Sequence, residues 1–478
     1  MSRHIDRIPG WLAGLLLVLP WVHPWSPGPQ PNTVPLLVGW GSLAVLLGLG
    51  HLPSALELAR AWAWAALLSS AMGLLQYFGE AGHLGGWVHA PAWLGDAVGN
   101  LRQRNQLATL TSIGAVAVLW WHRQGLAMRH ALWMLGVLAL GNAATGSRTG
   151  LLQWLLLAAL AALWQATSRP RRAAWSWPVL GWGLGVYLLA SLLLPQALAA
   201  WQGATVNSAM ARMGDVGGCG SRSVLWRNVL YLISQRPWTG WGWDEVKYAH
   251  YITTYPGERF CDILGHAHNL PLHLALTLGI PVATLLCLAM LGLLWRARPW
   301  RLSNPQASLA WGVLATLGVH SLLEYPLWYS PFQLALLWGL LLLWPSRGLW
   351  WPRHHQALQA AAAGALCLIA LIAWDYERMR QIYLPAPLRQ PLWRDDPWPA
   401  ARQTWFFGRA VRFAEVTSTP VTQDNAPTML AASLATLHYS PEPRVIDRLV
   451  QSARLAGQED LARQHEAQRR AVYGSAPP

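Results

Sequence analysis

The sequence predicts an all-α polytopic membrane protein with about eleven transmembrane helices. Three observations predict it. Hydrophobic residues make up 54% of the 478 positions, while Asp, Glu, Lys and Arg together make up 12%, half the roughly 25% of an average soluble chain. Mean hydropathy is +0.25. Apolar windows near the roughly 20 residues that a spanning helix needs recur along the chain. This balance excludes a disordered chain, which needs low hydrophobicity and high net charge, and argues against an ordinary cytosolic enzyme. The net charge of +14 comes from arginine, with Lys247 the single lysine. Such a charge fits either nucleic-acid binding or arginine-rich cytoplasmic loops, and the placement of the arginines decides.

The predicted spans lie near 9–23, 34–50, 60–78, 106–122, 131–145, 149–166, 175–195, 268–295, 306–323, 330–345 and 356–375. Short basic segments separate them. The first has a basic start but lacks a small-residue cleavage site and a long translocated domain after it, so it reads as a span rather than a signal peptide. With Arg3 and Arg7 placed in the cytoplasm, Arg60, then Arg123 and Arg129, then Arg169, Arg171 and Arg172, then Arg296, Arg298 and Arg301, then Arg347 and Arg353 all fall inside. Only Arg102, Arg104 and Arg148 fall in short outside loops. This is a positive-inside distribution, so nucleic acid is not needed to explain the charge.

The organisation that follows has spans 1–7 over 1–195, a large outer loop over 196–267, spans 8–11 over 268–375 and an outer C-terminal region over 376–478. The loop holds Cys219 and Cys261, which face an oxidising compartment and read as a disulfide, the alternative being two free thiols. Within the C-terminal region, 399–415, 431–437 and 444–473 carry apolar residues at helical spacing, a succession that resembles a stack of helical repeats.

Ionisable residues at span ends are costly and are functional candidates. Arg102, Arg104, Arg148 and Arg222 all lie outside, beside turns rich in Gly, Asn and Gln. Guanidinium is charged at every physiological pH and binds phosphate oxygens bidentately. The plainer reading of any one of them is a head-group anchor or a salt bridge. His266 and His268, in His-Ala-His-Asn-Leu with Asn269, open the eighth span. Histidine can accept a proton from an attacking hydroxyl. Two histidines at i, i+2 are a poor zinc pair, and no Cys or acid cluster completes a site, so no metal is expected. His320, Glu324 and Tyr325 close the ninth span in His-Ser-Leu-Leu-Glu-Tyr-Pro-Leu-Trp-Tyr, either as an interfacial turn or as the lining of an acceptor groove. The stretch from Arg236 to Trp243 carries three tryptophans among glycines. It reads as interfacial belt, or as backbone that admits a lipid head group or a sugar.

No phosphate-binding Gly-rich nucleotide motif occurs. An outward-facing reaction has no ATP and needs a pre-activated donor. A lipid pyrophosphate leaves as an anion, so the protein's task is to stabilise charge.

These motifs resemble the Wzy/WaaL/PglL superfamily of O-antigen polymerases, O-antigen ligases and protein O-oligosaccharyltransferases. The carrying segments are Gln103–Gln106, Gly146–Gly150, Ser221–Trp226, Pro237–Trp243, His266–Leu270 and His320–Tyr329. The last of these, with His438–Pro443, is most similar to the PglL branch, which glycosylates proteins such as pilins. The resemblance implies a GT-C-type fold in the bacterial inner membrane. The N-terminus would be cytoplasmic, and the active site and C-terminal region periplasmic. It implies en bloc, inverting transfer of a glycan from undecaprenyl pyrophosphate to a Ser or Thr hydroxyl of a periplasmic, pilin-like acceptor, with no cofactor and no nucleic-acid partner. It matches His268 to the essential loop histidine, with His266 second, and Arg148 and Arg222 to arginines that hold the pyrophosphate. One departure is Arg104, which stands where this branch commonly has Pro before Asn105. Rival readings are a lipid A-core ligase or chain polymerase, which differ only in acceptor, a transporter, and a scaffold. A transporter needs ionisable groups at mid-depth, and a scaffold leaves the outer arginines unexplained.

Overall fold

The structure, a computed structural model, describes residues 8–167, 175–203, 218–302, 304–344 and 347–474. Arg3, Arg7, Arg169, Arg171 and Arg172 lie outside the described residues, as do the side chains of Arg347 and Arg353. No strand occurs among the described residues. In chain order the helices are α1 (Gly10–Val22), α2 (Thr33–Gly48), α3 (Ala55–Tyr77), α4 (Arg104–Arg123), α5 (Met128–Ala144), α6 (Arg148–Thr167), α7 (Trp177–Gln202), α8 (Arg222–Gln235), α9 (Val246–Ile252), α10 (Leu270–Leu278), α11 (Ile280–Ala297), α12 (Pro305–Leu323), α13 (Ser330–Leu343), α14 (Arg347–Arg380), α15 (Trp398–Arg402), α16 (Gly408–Ser418), α17 (Ala426–Leu437), α18 (Pro443–Leu455) and α19 (Glu459–Tyr473).

Every expected span has its helix, but eleven spans are not what the helices support. Six segments among the described residues are long and apolar enough to cross a membrane: α3, α6, α7, α11, α12 and Gln356–Tyr383, which is most of α14 with the short turn after it. Helices α1, α2 and α13 are apolar but shorter. Helix α4 fails for another reason. It carries Thr109, Thr111 and Ser112, all buried, and it is enclosed by α3, α5, α6 and α12. A helix that touches protein on every side does not need a lipid-compatible surface. The span expected over 268–295 is two helices. Gly279, at φ 85°, stops α10, and Pro281, near the start of α11, has no N–H to continue it.

The chain divides into two compact units. The first comprises 1–27, 31–215 and 293–370. Its apolar core runs through Trp62, Ile113, Leu138, Trp154, Tyr187, Val313 and Phe332. Small residues allow close helix packing there, since Ala59, Ala63 and Ala66 on α3 are fully buried.

The second unit comprises 28–30, 216–292 and 371–478. A disulfide joins Cys219 to Cys261, with Cα atoms 5.3 Å apart. Beside it, α8, α9 and α10 enclose a small core of Val224, Leu232, Val246, Phe260, Leu264 and Leu276. The C-terminal helices form a second core of Leu437, Val445, Ile446 and Leu449, which takes in Tyr251 of α9. The helix expected over 399–415 is broken. The carboxylate of Asp375, 0% exposed, accepts from Thr404 Oγ1 at 2.8 Å and from the N–H groups of Trp405 and Phe406 at 3.0 Å, so these amides serve a side chain instead of a helix. The helix expected over 444–473 is likewise two, α18 and α19, parted at Gly457.

Candidate functional site

In the first unit, three of the motifs meet at Asn105. This residue lies in the first turn of α4, just after Gln103, whose side chain caps the helix by accepting from Gln106 N at 2.7 Å. Asn105 Nδ2 donates to Glu324 Oε1 at 3.0 Å, and Asn105 Oδ1 accepts from Ser147 Oγ at 2.6 Å. The start of α4, the turn before α6 and the end of α12 are thereby tied together. Glu324 is 8% exposed. A carboxylate so placed costs free energy unless it is hydrogen-bonded, which gives Asn105 its role. A second layer lies beneath. Thr109 Oγ1 sits 2.9 Å from His320 Nδ1 and accepts from Gln153 Nε2 at 2.8 Å. His320 is 1% exposed, so it acts as internal support and not as the substrate contact that its motif suggests.

Ser147 has a further task. Its Oγ accepts from Gly150 N at 3.1 Å and its carbonyl from Leu151 N, which makes it the N-cap of α6. Arg148 is therefore the first residue of α6, and it is exposed. Two more arginines precede it in the chain. Arg104 forms an ion pair with Asp96. Arg102, at φ 61°, donates to the carbonyls of Pro24 at 3.1 Å and Ser26 at 3.3 Å. Both were expected to bind substrate, and both have partners within the protein. Tyr325 is half-buried and stacks on Tyr329 with centroids 6.0 Å apart. Burial pushes its hydroxyl above the usual tyrosine range, so it stays protonated.

In the second unit the same local device recurs. Ser221 caps α8, its Oγ accepting from Val224 N at 3.4 Å, and Arg222 is the first residue of the helix. Asn269 caps α10 through Leu272 N at 3.0 Å. The backbone just before it is strained. His268 has φ 51°, a left-handed conformation that costs a non-glycine residue on the order of 1–3 kcal/mol and that clusters at functional sites. The loop is held by Trp226, whose Nε1 donates to the Ala267 carbonyl at 3.0 Å. His266 lies with its ring 5.0 Å from that of His273, which in turn meets the edge of Trp243 at 5.8 Å. Deeper in this unit, His250 is enclosed by Tyr255 and Phe260. Burial, with the Arg259 charge beside it, pushes the His250 pKa down to about 3.

Three family profiles match in chain order. Residues 97–122 match a family described as protein glycosylation ligase, 131–287 match O-antigen ligase, and 308–478 match the C-terminal part of virulence factor membrane-bound polymerase. The chain is also 24% identical over 298 residues to the general O-oligosaccharyltransferase of Acinetobacter baylyi (strain ATCC 33305 / BD413 / ADP1). These matches support a place in the Wzy/WaaL/PglL superfamily, PglL-like. The match to the Acinetobacter protein covers 58% of this chain and 48% of that protein, so the chain matches about half the length of this PglL-like relative. Every candidate site residue falls within one of the three matched segments.

Sequence reasoning did not single out Thr109, Gln153, Asp96 or His273. Gln153 had a legible signal, a long amide inside the apolar run of α6. His273 had none, because one histidine on a short helix is an ordinary core residue.

Proposed function

We propose that this protein transfers a preassembled glycan en bloc from undecaprenyl pyrophosphate to a Ser or Thr hydroxyl of a periplasmic protein such as a pilin. It does so in the bacterial inner membrane, with its N-terminus in the cytoplasm. The observation that carries the reading is the repeated Ser-Arg start of α6 and α8. A helix N-terminus carries partial positive charge, and a cation in the first turn is unfavourable by about 0.3–1 kcal/mol. First-turn arginines occur on other helices too, as at Arg104 of α4, but in α6 and α8 a Ser cap is followed directly by Arg, and guanidinium and the free amides of a first turn both bind phosphate.

In the proposed reaction the acceptor oxygen attacks the anomeric carbon as its proton passes to His268. The bond from that carbon to the pyrophosphate oxygen breaks with inversion. Arg222 neutralises the charge that develops on the departing undecaprenyl pyrophosphate, and Arg148 is the second arginine to which the resemblance gives that task. Undecaprenyl pyrophosphate and the glycosylated acceptor leave, and His268 returns its proton to solvent. Glu324, held by Asn105, and Tyr325 shape the acceptor side. No step calls for a metal or an organic cofactor. General-base contributions are typically 10²–10⁴-fold, so His268→Ala with His266 intact loses at least about 10²-fold in transfer, measured as added mass on a pilin-like acceptor. Undiminished transfer would remove the assignment. The profile described as a polymerase, over 308–478, favours one second reading, in which the acceptor is another glycan. Lipid A-core and glycan acceptors in the same assay separate these readings.

A further inference from the structure

The tryptophan-rich turn is built to display one indole beside the histidine loop. Its backbone is fastened to the end of α10. Trp241 N donates to the Leu276 carbonyl at 2.9 Å, Gly242 N to Thr277 O at 3.0 Å, and Ile280 N to Pro237 O at 2.8 Å. The approach is close enough that a Cβ on Gly240 would overlap the Thr277 carbonyl, and one on Gly279 the Trp238 carbonyl. Trp241 is the anchor. Its Nε1 donates to Leu232 O at 2.8 Å, and the Arg236 guanidinium lies 4.2 Å from its ring centre.

Its two neighbours are displayed. Trp238 is 77% exposed and Trp243 is 57% exposed. They differ in surroundings. The carbonyl of Trp238 packs at Gly279, immediately before the spanning helix α11, where an exposed indole is ordinary membrane belt. Trp243 instead meets His273 edge-on, and His273 meets His266. The chain on both sides of Trp243 turns through positive φ, which is free for glycine and costly for Asp244. Gly242 has φ 103°, and Asp244 has φ 70° and is held by Arg409 at 2.5 Å. Strained backbone that holds a large apolar side chain in the open, against a loop of histidines, is a feature of binding surfaces.

We propose that the face of Trp243 is a sugar-binding platform that stacks a pyranose ring of the donor glycan. An indole face is electron-rich, and the C–H face of a pyranose is apolar and weakly positive, so the two are complementary in charge and in shape. The proposal rests on the reading above, that the donor is a lipid-linked glycan.

The test uses the full chain in lipid nanodiscs with an undecaprenyl-pyrophosphate-linked trisaccharide as probe. Donor binding and transfer are measured separately for wild type, Trp243→Leu, Trp243→Tyr and Trp238→Leu. Leucine keeps apolar contact with lipid and removes the aromatic face; tyrosine keeps a face. Trp243→Leu is expected to raise the donor Kd and KM on the order of 3–10-fold with kcat little changed, given the usual strength of an aromatic contact. Trp243→Tyr restores most of the affinity, and Trp238→Leu leaves it unchanged. Equal donor binding by wild type and Trp243→Leu overturns the platform, as does an equal loss in Trp238→Leu, which would mark both indoles as membrane belt. Repeating the binding measurement in a His268→Ala background keeps the two claims apart. Activity retained by His268→Ala contradicts the assigned base, whereas the Trp243 effect is read from binding alone. Absence of donor binding by wild type overturns the donor class and the platform with it.

Discussion

Arginines of the same type have different tasks here, and their partners decide which. Arg104 is answered by Asp96, and Arg102 holds two backbone carbonyls; Arg148 and Arg222 are the first residues of capped helices. Arg222→Lys keeps the charge and gives up the planar, bidentate fork. It is expected to lower kcat for transfer by about tenfold or more while the protein melts normally, in an assay of rate against thermal stability. A rate equal to wild type would make Arg222 structural. Asn105 is of the other kind. Asn105→Ala removes a donor from the buried Glu324 and an acceptor from Ser147, and a lost buried partner of this sort costs about 1–3 kcal/mol. Its melting temperature is expected to fall, and an unchanged value would show that α4, α6 and α12 are held together by other means.

At the scale of elements, the break at Gly279 separates α10, which follows the histidine loop, from α11, which is long and apolar enough to cross a membrane. Gly279→Ala places a methyl against the Trp238 carbonyl at φ 85°. It is expected to loosen the tryptophan turn, lower the melting temperature and raise the donor KM; a variant as stable and as active as wild type would contradict the clamp. Most helices were legible because apolar runs and basic punctuation are local signals. The break was not, because Gly279-Ile280-Pro281 sits inside an apolar run that reads as one long span. The breaks near 403–407 and 457 escaped for related reasons. The first depends on Asp375, nearly thirty residues earlier in the chain, and no local pattern encodes that. The candidate site was proposed from residue types and their order alone. Its division into helix-opening arginines, buried supports and a strained histidine needed the three-dimensional contacts, as the buried His320 shows.

At the scale of the whole molecule, acidity bears on stability through His250. Its pKa is lowered to about 3 by burial and by Arg259, against about 6.5 when unfolded. Below pH 6.5 the unfolded chain takes up a proton that the folded one refuses. The contribution is therefore full above 6.5 and falls away as pH drops toward 3, by up to about 1.4 kcal/mol per pH unit. Wild type is expected to lose more melting temperature between pH 7 and pH 5 than His250→Gln, and equal losses would place the histidine outside the linkage. The central claim concerns what the molecule transfers and to what. It is tested most directly by expressing wild type and His268→Ala with a lipid-linked glycan pathway, then weighing a pilin-like protein and lipid A-core. The account predicts the glycan's mass on the protein with wild type, and its near absence with His268→Ala. Glycan on lipid A-core alone, or equal protein modification by both, would contradict it.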